Sequence, residues 1–324
     1  MRLSLRQYIS KKFMSSKKAS VVGLSLGLEG VSLCVLQHKK GEFICVEQTE
    51  FGYQDWAKAL TEFVKSSKLT WAKCYLALTS HHYQLLHLDR PNVPQDEILK
   101  ALEWPVKEML NANESYVCDY TEYPMQVSGQ NKIAVAAMAK NEVKKISEIL
   151  FAAKLDLQSI SVEEFALVAL LPNQSDPILS LSQESGEEII LNIVKDQKLY
   201  FSRRIKGFEN LGSYSIRELE MGLVDNLCVQ IQRSMDFFES QLRQAPVRQI
   251  VINLDTRLQA EVARLIEKTM DLKVGHFEPE SMSGQGNSVQ QASFTALGAV
   301  FESYIDDKKT LSTPRDNVNA EGSV

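Results

Sequence analysis

The fold of this chain is decided by the stretch VVGLSLGLEGVSLCVL, residues 21–36. Two runs of β-branched and apolar residues, Val21 to Leu26 and Val31 to Leu36, predict two strands. Gly27 and Gly30 predict a tight turn between them. The stretch therefore predicts a β-hairpin with a glycine-lined tip at the start of a folded domain.

Length and composition fit a soluble globular protein. The chain has 324 residues, of which 44% are apolar and 24% charged, and such a length corresponds to about two domains. The net charge of −5 argues against a general nucleic-acid binder. No apolar run approaches the roughly 20 residues that cross a bilayer, and the N-terminus has no signal-peptide pattern. A cytosolic location, or a peripheral one at a membrane, is expected.

Cysteine and histidine spacing does not predict a metal site. The five cysteines contain no CxxC pair and are expected to be buried thiols in a reducing compartment. His81, His82 and His87 fall on alternating faces of a predicted strand, without a Cys or Asp at ligand spacing. The cysteines are Cys34, Cys45, Cys74, Cys118 and Cys228.

The two ends of the chain differ in composition from the rest. Residues 1–18 carry six cations and no acid, interleaved with apolar residues at roughly helical spacing. Such a segment can lie on an anionic membrane surface or remain a solvated tail, and the sequence leaves both interpretations open. Residues 306–324 are polar and are expected to be disordered. The candidate membrane-surface cations are Arg2, Arg6, Lys11 and Lys12.

Between these ends, the alternation of strand and helix patterns predicts two α/β halves. A basic tail (1–19) precedes a first half (20–172) with a small α/β subdomain inserted at about 90–153. The second half (177–289) opens with a hairpin that turns at residues 195–197, and it contains one long helix, Ile216 to Gln244. A last helix, 290–305, is expected to return to the first half.

Four motifs, in this order, carry a resemblance to a known family: VGLSLG (22–27), EWPVKE (103–108), SISVEEFAL (159–167) and QIQRSMDFFESQ (230–241). They resemble the PilM-type proteins of type IV pilus assembly, and among these the MshI-type proteins of the mannose-sensitive haemagglutinin (MSHA) pilus. The resemblance implies an α/β fold of the actin-like (ribonuclease H-type) duplicated class. It also implies a cytoplasmic scaffold, peripheral at the inner membrane of a Gram-negative bacterium.

The resemblance further implies a partner and a place for it. In the family, the inserted subdomain and the first sheet form a groove for the cytoplasmic N-terminal tail of a PilN-like bitopic inner-membrane protein, here MshJ-like. Pro105 is expected to break a helix beside Trp104, next to an edge strand near Ser115 to Thr121. The candidate partner-binding residues are Trp104, Pro105, Tyr116, Cys118 and Tyr120.

The family's nucleotide site, in contrast, is expected to be degenerate here. The resemblance places Ser25 where an acid is usual, and Glu29 and Asp255 add negative charge near the phosphates and the adenosine. The second phosphate hairpin is expected around Asn192, with no glycine in its turn. The degenerate site is predicted to comprise Gly23, Ser25, Gly27, Glu29, Ser32, Asn192 and Asp255.

We therefore expect no enzymatic activity, no catalytic residue and no tightly bound cofactor, with weak ATP binding left open. The alternatives are a functional actin-like ATPase or small-molecule kinase of the same superfold, or the cytoplasmic part of a GspL-type secretion protein. Glu163 and Glu164 open a helix, where the helix dipole alone explains acidic residues, and are not expected to form a site.

Overall fold

A computed structural model describes residues 20–39, 42–110, 114–127, 129–277 and 293–312 of the protein. The expectations for the basic tail (1–19) and for the end of the chain (313–324) lie outside the described residues.

Within these residues, thirteen strands form three sheets. The strands are β1 Ser20–Leu26, β2 Gly30–Lys39, β3 Glu42–Gly52, β4 Lys73–Leu78, β5 Gln84–Asp89, β6 Tyr116–Val127, β7 Gln130–Ala139, β8 Asp156–Val162, β9 Ile178–Ser182, β10 Ile189–Lys195, β11 Lys198–Ile205, β12 Gln249–Asn253 and β13 Lys273–His276. The helices that flank the sheets are α1 Trp56–Ser66, α2 Ile98–Met109, α3 Lys140–Ala152, α4 Glu163–Val168, α5 Val224–Ser240, α6 Gln259–Met270 and α7 Phe294–Ser312.

The first sheet is built around the hairpin that the sequence predicts. Its strand order is β3-β2-β1-β4-β8, with β1, β2 and β3 antiparallel and β1, β4 and β8 parallel. The apolar residues of β1 and β4 are buried, except for the partly buried Val21, as their near-continuous hydrophobic pattern predicts. The turn requires glycine at Gly30, where φ is +155° and a side chain would collide with the Phe51 carbonyl.

The second sheet repeats this order. Its strands follow the order β11-β10-β9-β12-β13, with β9, β12 and β13 parallel and β9, β10 and β11 antiparallel. In chain order, β9 to β13 therefore correspond to β1, β2, β3, β4 and β8. The two halves are the same unit used twice.

The helix that joins β11 to β12 is interrupted near its start. The predicted apolar stripe is buried, with Leu227, Ile231 and Phe238 among its members. The regular helix nevertheless begins only at Val224, because Met221 and Gly222 have non-helical backbone angles. The expectation of one continuous helix from Ile216 is wrong at this point.

The inserted subdomain is smaller than its predicted limits of about 90–153. Its sheet has the order β5-β7-β6, so it starts at Gln84. Helix α3 lies outside the insertion, because Ile146 and Leu150 are buried in the core of the first half. Helix α2 covers the small sheet and runs unbroken from Ile98 to Met109 with Pro105 inside it, contrary to the predicted break.

Helix α7 returns to the first half, as expected, and packs against β1, β4 and α4. The approach is close, because a β-carbon on Gly23 would lie 2.2 Å from the Ala296 carbonyl, and one on Gly298 would lie 2.2 Å from the Ala166 carbonyl. The helix runs to Ser312, so residues 306–312 are helical where disorder was predicted.

Candidate functional site

A cleft of about 590 Å³ lies between the two halves, where the hairpin turns of both sheets face each other. Ser25, Gly27, Glu29 and Ser32 line it from the β1–β2 hairpin, and Asp255 lines it from the loop after β12. The structure thus brings together five of the seven residues predicted for the nucleotide site. The two others, Gly23 and Asn192, lie elsewhere.

The second hairpin of the cleft is the β9–β10 turn, not the β10–β11 turn that the sequence suggested. This turn contains Gly186 with a φ of +72°, a backbone conformation that favours glycine. Asn192 is buried in the middle of β10, where its side-chain amide donates to the Glu164 carbonyl at 3.4 Å. The expectation of a second hairpin without a glycine is therefore wrong, and so is the place given to Asn192.

Glu187, from the same turn, reaches across the cleft into the first half. Its Oε1 accepts a hydrogen bond from the backbone N–H of Leu28 (3.0 Å) and another from the Thr79 hydroxyl (2.6 Å). The side chain is 2% exposed. A carboxylate of one half therefore accepts the hydrogen bond of a turn N–H of the other half. Backbone N–H groups in such turns are the donors to which phosphate groups bind in other proteins.

The lining of the cleft is acidic. Among the residues that the structure describes, five carboxylate side chains and one cation, Arg257, line it. Among the acids, Glu184 accepts a hydrogen bond from the Ser293 hydroxyl at 2.8 Å, and burial raises its pKa. The lining acids are Glu29, Glu50, Glu184, Glu187 and Asp255.

Gly23, the seventh predicted nucleotide-site residue, serves packing. It does not line the cleft, and the nearest atoms to a β-carbon there belong to Ala296, Cys34 and Val300. A glycine that admits a helix backbone and a glycine that admits a phosphate give the same sequence signal.

Beside the cleft, a buried ionic cluster joins the halves. Arg204 of β11 donates to Glu163 and, at 2.7 Å, to Glu164, and it also donates to the Tyr83 hydroxyl at 3.0 Å. Glu163 and Glu164 are 1% and 2% exposed. Burial raises the pKa of Glu163, opposed by the adjacent Arg204, and burial together with the two carboxylates raises the pKa of the Tyr83 hydroxyl. The helix-dipole explanation of these two acids is therefore incomplete.

A second concave surface, which we call the insertion groove, has a volume of about 920 Å³. One wall is the outer strand β6 of the inserted sheet, at residues 119–124, and the facing wall is the outer strand β8 of the first sheet, at residues 159–162. Phe165, Leu199 and Ile305 contribute apolar surface. The groove lies between the insertion and the first sheet, which is where the resemblance places a partner peptide.

Only one of the predicted partner-binding residues lines this groove, and that residue is Tyr120. Tyr116, Cys118 and Tyr120 all pack on the small core beneath α2, and Tyr120 is the one of the three that also lines the groove. Trp104 is 70% exposed, and it points away from the face on which Leu102 is buried. Pro105, its neighbour in α2, is not among the groove residues either.

Sequence reasoning missed the contribution of β8 and of Phe165 to the groove. The run Ser159–Val162 reads as an ordinary strand, and its position at the edge of the sheet depends on the strand order. The available signal was the partly polar pattern of the strand, because a central parallel strand would be apolar throughout.

The histidines make separate contacts. His82 is buried against Glu142, with 2.6 Å between Nδ1 and Oε1, whereas His87 stacks on Tyr123. Over the described part of the chain, no group of three or more His, Cys, Asp or Glu side chains is arranged to hold a metal ion. The same residues include no helix that is long and apolar enough to span a membrane.

Comparison with solved structures places the fold. The chain is similar to a PilM–PilN type IV pilus biogenesis complex, with a TM-score of 0.67 and 18% identity over 88% of this chain and 99% of the other. It is less similar to the cytoplasmic domain of EpsL from the Vibrio cholerae type II secretion system, with a TM-score of 0.49 and 9% identity over 87% of this chain and 94% of the other. A Bacteroides thetaiotaomicron protein with an actin-like ATPase fold also has a TM-score of 0.49, with 8% identity over 88% and 96%.

The first of these similarities and the repeated strand order establish an actin-like duplicated fold of the PilM kind. No protein-family model matches the chain, and a sequence search of curated proteins finds no match.

Proposed function

We propose that this protein is a non-enzymatic scaffold of a type IV pilus assembly machine. It binds the cytoplasmic N-terminal tail of a PilN-like inner-membrane protein in the insertion groove, and it acts at the cytoplasmic face of the inner membrane. The machine is of the MSHA type and the partner is MshJ-like, as the sequence motifs indicate. The observation that carries the proposal is the insertion groove, on a fold similar to a PilM solved as a complex with PilN.

The walls of the groove suit an extended peptide. Both β6 and β8 are outer strands, so each has backbone N–H and C=O groups on one side that no neighbouring strand of its sheet satisfies. An extended segment can add to such an edge through main-chain hydrogen bonds. Tyr120, Ile160 and Phe165 then supply surface for its apolar side chains.

The cleft supports the non-enzymatic part of the proposal. A triphosphate requires donors and cations around its charge. Of the described residues that line this space, five are acids and one is an arginine. Glu187 already accepts the hydrogen bond of the Leu28 N–H and places its own negative charge at the turn. These features disfavour tight Mg-ATP binding, although both hairpin turns keep a glycine.

The direct test measures binding of a synthetic peptide, the cytoplasmic N-terminus of the PilN-like protein from the same organism, by fluorescence anisotropy. Tyr120→Ala should weaken binding at least tenfold, about 1.4 kcal/mol, because it removes an aromatic contact from the groove. Tyr116→Ala is the matched control, since it removes the same side chain from the same strand outside the groove.

Circular dichroism checks that both variants are folded. Equal affinities for the wild type and a folded Tyr120→Ala variant would move the binding site away from this groove, and absence of binding to the wild type would contradict the proposed partner.

A further inference from the structure

An exposed aromatic pair lies at the edge of the first sheet where β1, β4 and β8 begin, opposite the cleft. Trp71 is 57% exposed and Phe151 is 68% exposed. Their rings are in edge-to-face contact, with centroids 5.8 Å apart. The pair therefore stabilises itself at the surface and does not fill the core.

The backbone conformation of the two turns at Trp71 and Lys154 directs these aromatic side chains to solvent. Trp71 and Lys154 both have a φ of +62°, which is unusual for residues other than glycine. The Trp71 N–H donates to the Lys154 carbonyl at 2.6 Å, so the two turns are joined. Leu69 and Leu155 are buried next to them and anchor the turns. Unusual backbone conformations that present large apolar side chains to solvent suggest a function.

Charges of both signs surround the pair, and exposed carboxylates nearby are those of Glu47, Glu148 and Asp156. Lys68, Lys73 and Lys154 are exposed at this edge. The exposed carboxylate nearest to them in the sheet register is Asp156, opposite Lys73.

The chain also enters the fold here. Val21 pairs with Lys73 in the register of β1 and β4, so the first described residues of the chain lie beside the aromatic pair.

We propose that Trp71, Phe151 and the surrounding lysines form a surface that docks on an anionic membrane, which we call the basal patch. Aromatic side chains flanked by lysines are the residues that settle at the boundary between headgroups and acyl chains. Lysines near an anionic surface add electrostatic attraction. Docking here turns the cleft away from the membrane, because the cleft lies at the other end of β1.

This inference specifies the membrane side of the proposed function, and its test does not depend on the partner peptide. The full chain is sedimented with vesicles of phosphatidylglycerol and phosphatidylethanolamine, and with vesicles of phosphatidylcholine alone. The wild type should bind the anionic vesicles, and less strongly as salt is added.

The test variant combines Trp71→Asn, which tolerates the left-handed backbone, with Phe151→Ser. Binding should fall at least tenfold. Trp104→Asn is the matched control, since it removes an even more exposed tryptophan from the insertion and should leave binding unchanged. Lys68→Glu should weaken binding severalfold, whereas Lys268→Glu, on exposed α6 in the other half, should not.

Quenching of tryptophan fluorescence tests the same hypothesis if the double variant does not fold. In a Trp104→Phe background only Trp71 and the buried Trp56 fluoresce, and brominated lipids should quench the Trp71 emission. Absence of wild-type binding to anionic vesicles, unchanged binding of the folded double variant, or unquenched Trp71 emission would each overturn the proposal. The double variant of Trp71 and Phe151 should still bind the partner peptide. A failure of the membrane-docking hypothesis can therefore be distinguished from a failure of the peptide-binding hypothesis.

Discussion

The cleft between the halves (about 590 Å³) and the insertion groove (about 920 Å³) are both concave, but they differ in whether their backbone hydrogen-bonding groups already have partners within the protein. In the cleft, Glu187 satisfies the turn N–H of Leu28 from within the chain. In the groove, the outer sides of β6 and β8 are not paired within their sheets. The Leu28 N–H is therefore not free for a ligand in the cleft, whereas the unpaired strand edges of the groove can accept an extended segment. We propose that binding in this protein has moved from the place where the duplicated hairpins meet to the insertion groove.

The first prediction concerns the contribution of the buried ionic cluster beside the cleft to the stability of the protein. Arg204→Met should lower the free energy of unfolding by about 3–5 kcal/mol, because it leaves Glu163 and Glu164 buried without their cation. The control Arg264→Met removes an arginine whose carboxylate partners are partly exposed, and should cost less than about 1 kcal/mol. Urea unfolding of the three proteins gives the comparison.

The same variant has a predictable pH dependence. Burial raises the pKa of Glu163 in the folded state, and loss of Arg204 raises it further. The folded variant therefore binds this proton more tightly than the unfolded chain does. Its stability should be highest at low pH and should fall as pH rises through the folded-state pKa. The loss caused by Arg204→Met should be smaller at pH 5 than at pH 8, and the opposite slope would contradict the assignment.

The second prediction concerns the carboxylate that bridges the cleft. Glu187→Ala should destabilise the protein by about 1–3 kcal/mol, because Leu28 N–H and the Thr79 hydroxyl lose a buried acceptor. Glu188→Ala is the control, since its partner Lys206 is largely exposed. Thermal melts of both variants decide the matter. Equal shifts in the two would mean that Glu187 does not bridge the halves.

The third prediction decides between two positions for the partner site. If the groove lined by Tyr120 binds the peptide, Trp104→Ala should change the dissociation constant less than twofold, because Trp104 lies outside it. The helix-break hypothesis drawn from the sequence instead requires at least a tenfold loss, about 1.4 kcal/mol. Anisotropy with the same labelled peptide measures either outcome, and circular dichroism checks that the variant, which lacks only the exposed Trp104 side chain, is folded.

The fourth prediction is that Mg-ATP binds weakly or not at all to the wild type. Calorimetric titration should show no dissociation constant in the low micromolar range, which would correspond to about −8 kcal/mol. A heat signal of that affinity would show that the acidic cleft tolerates a polyphosphate and would restore the ATPase or kinase alternative.

The smallest effect on stability is expected for deletion of residues 1–18. The thermal midpoint should stay nearly unchanged, because β1 begins after this segment. Flotation with anionic liposomes should weaken, most clearly at low salt. Equal flotation of the truncated and full-length proteins would exclude a membrane role for the segment.

Sequence patterns predicted the strands, the first hairpin and the return of the last helix, because these depend on local periodicity. The second hairpin was misplaced by one strand, since β9 is only five residues long and two of them are serines. Arg204 was not recognised as the partner of Glu163, because the two residues lie 41 positions apart and in different halves. Pairings across the halves depend on strand order, and a local pattern does not carry that information.

The position of helix α7 has a consequence for folding of the protein during its synthesis on the ribosome. Its residues complete the core that Cys34, Tyr75 and Ala166 begin, and Gly23 and Gly298 admit it at backbone contact. The amino-terminal half is synthesised first but must wait for the last helix to cover its sheet. Throughout translation of the second half, one apolar face of that sheet is uncovered and accessible to chaperones. A stop codon before residue 294 would therefore leave the first half, which is synthesised first, without the helix that completes its core.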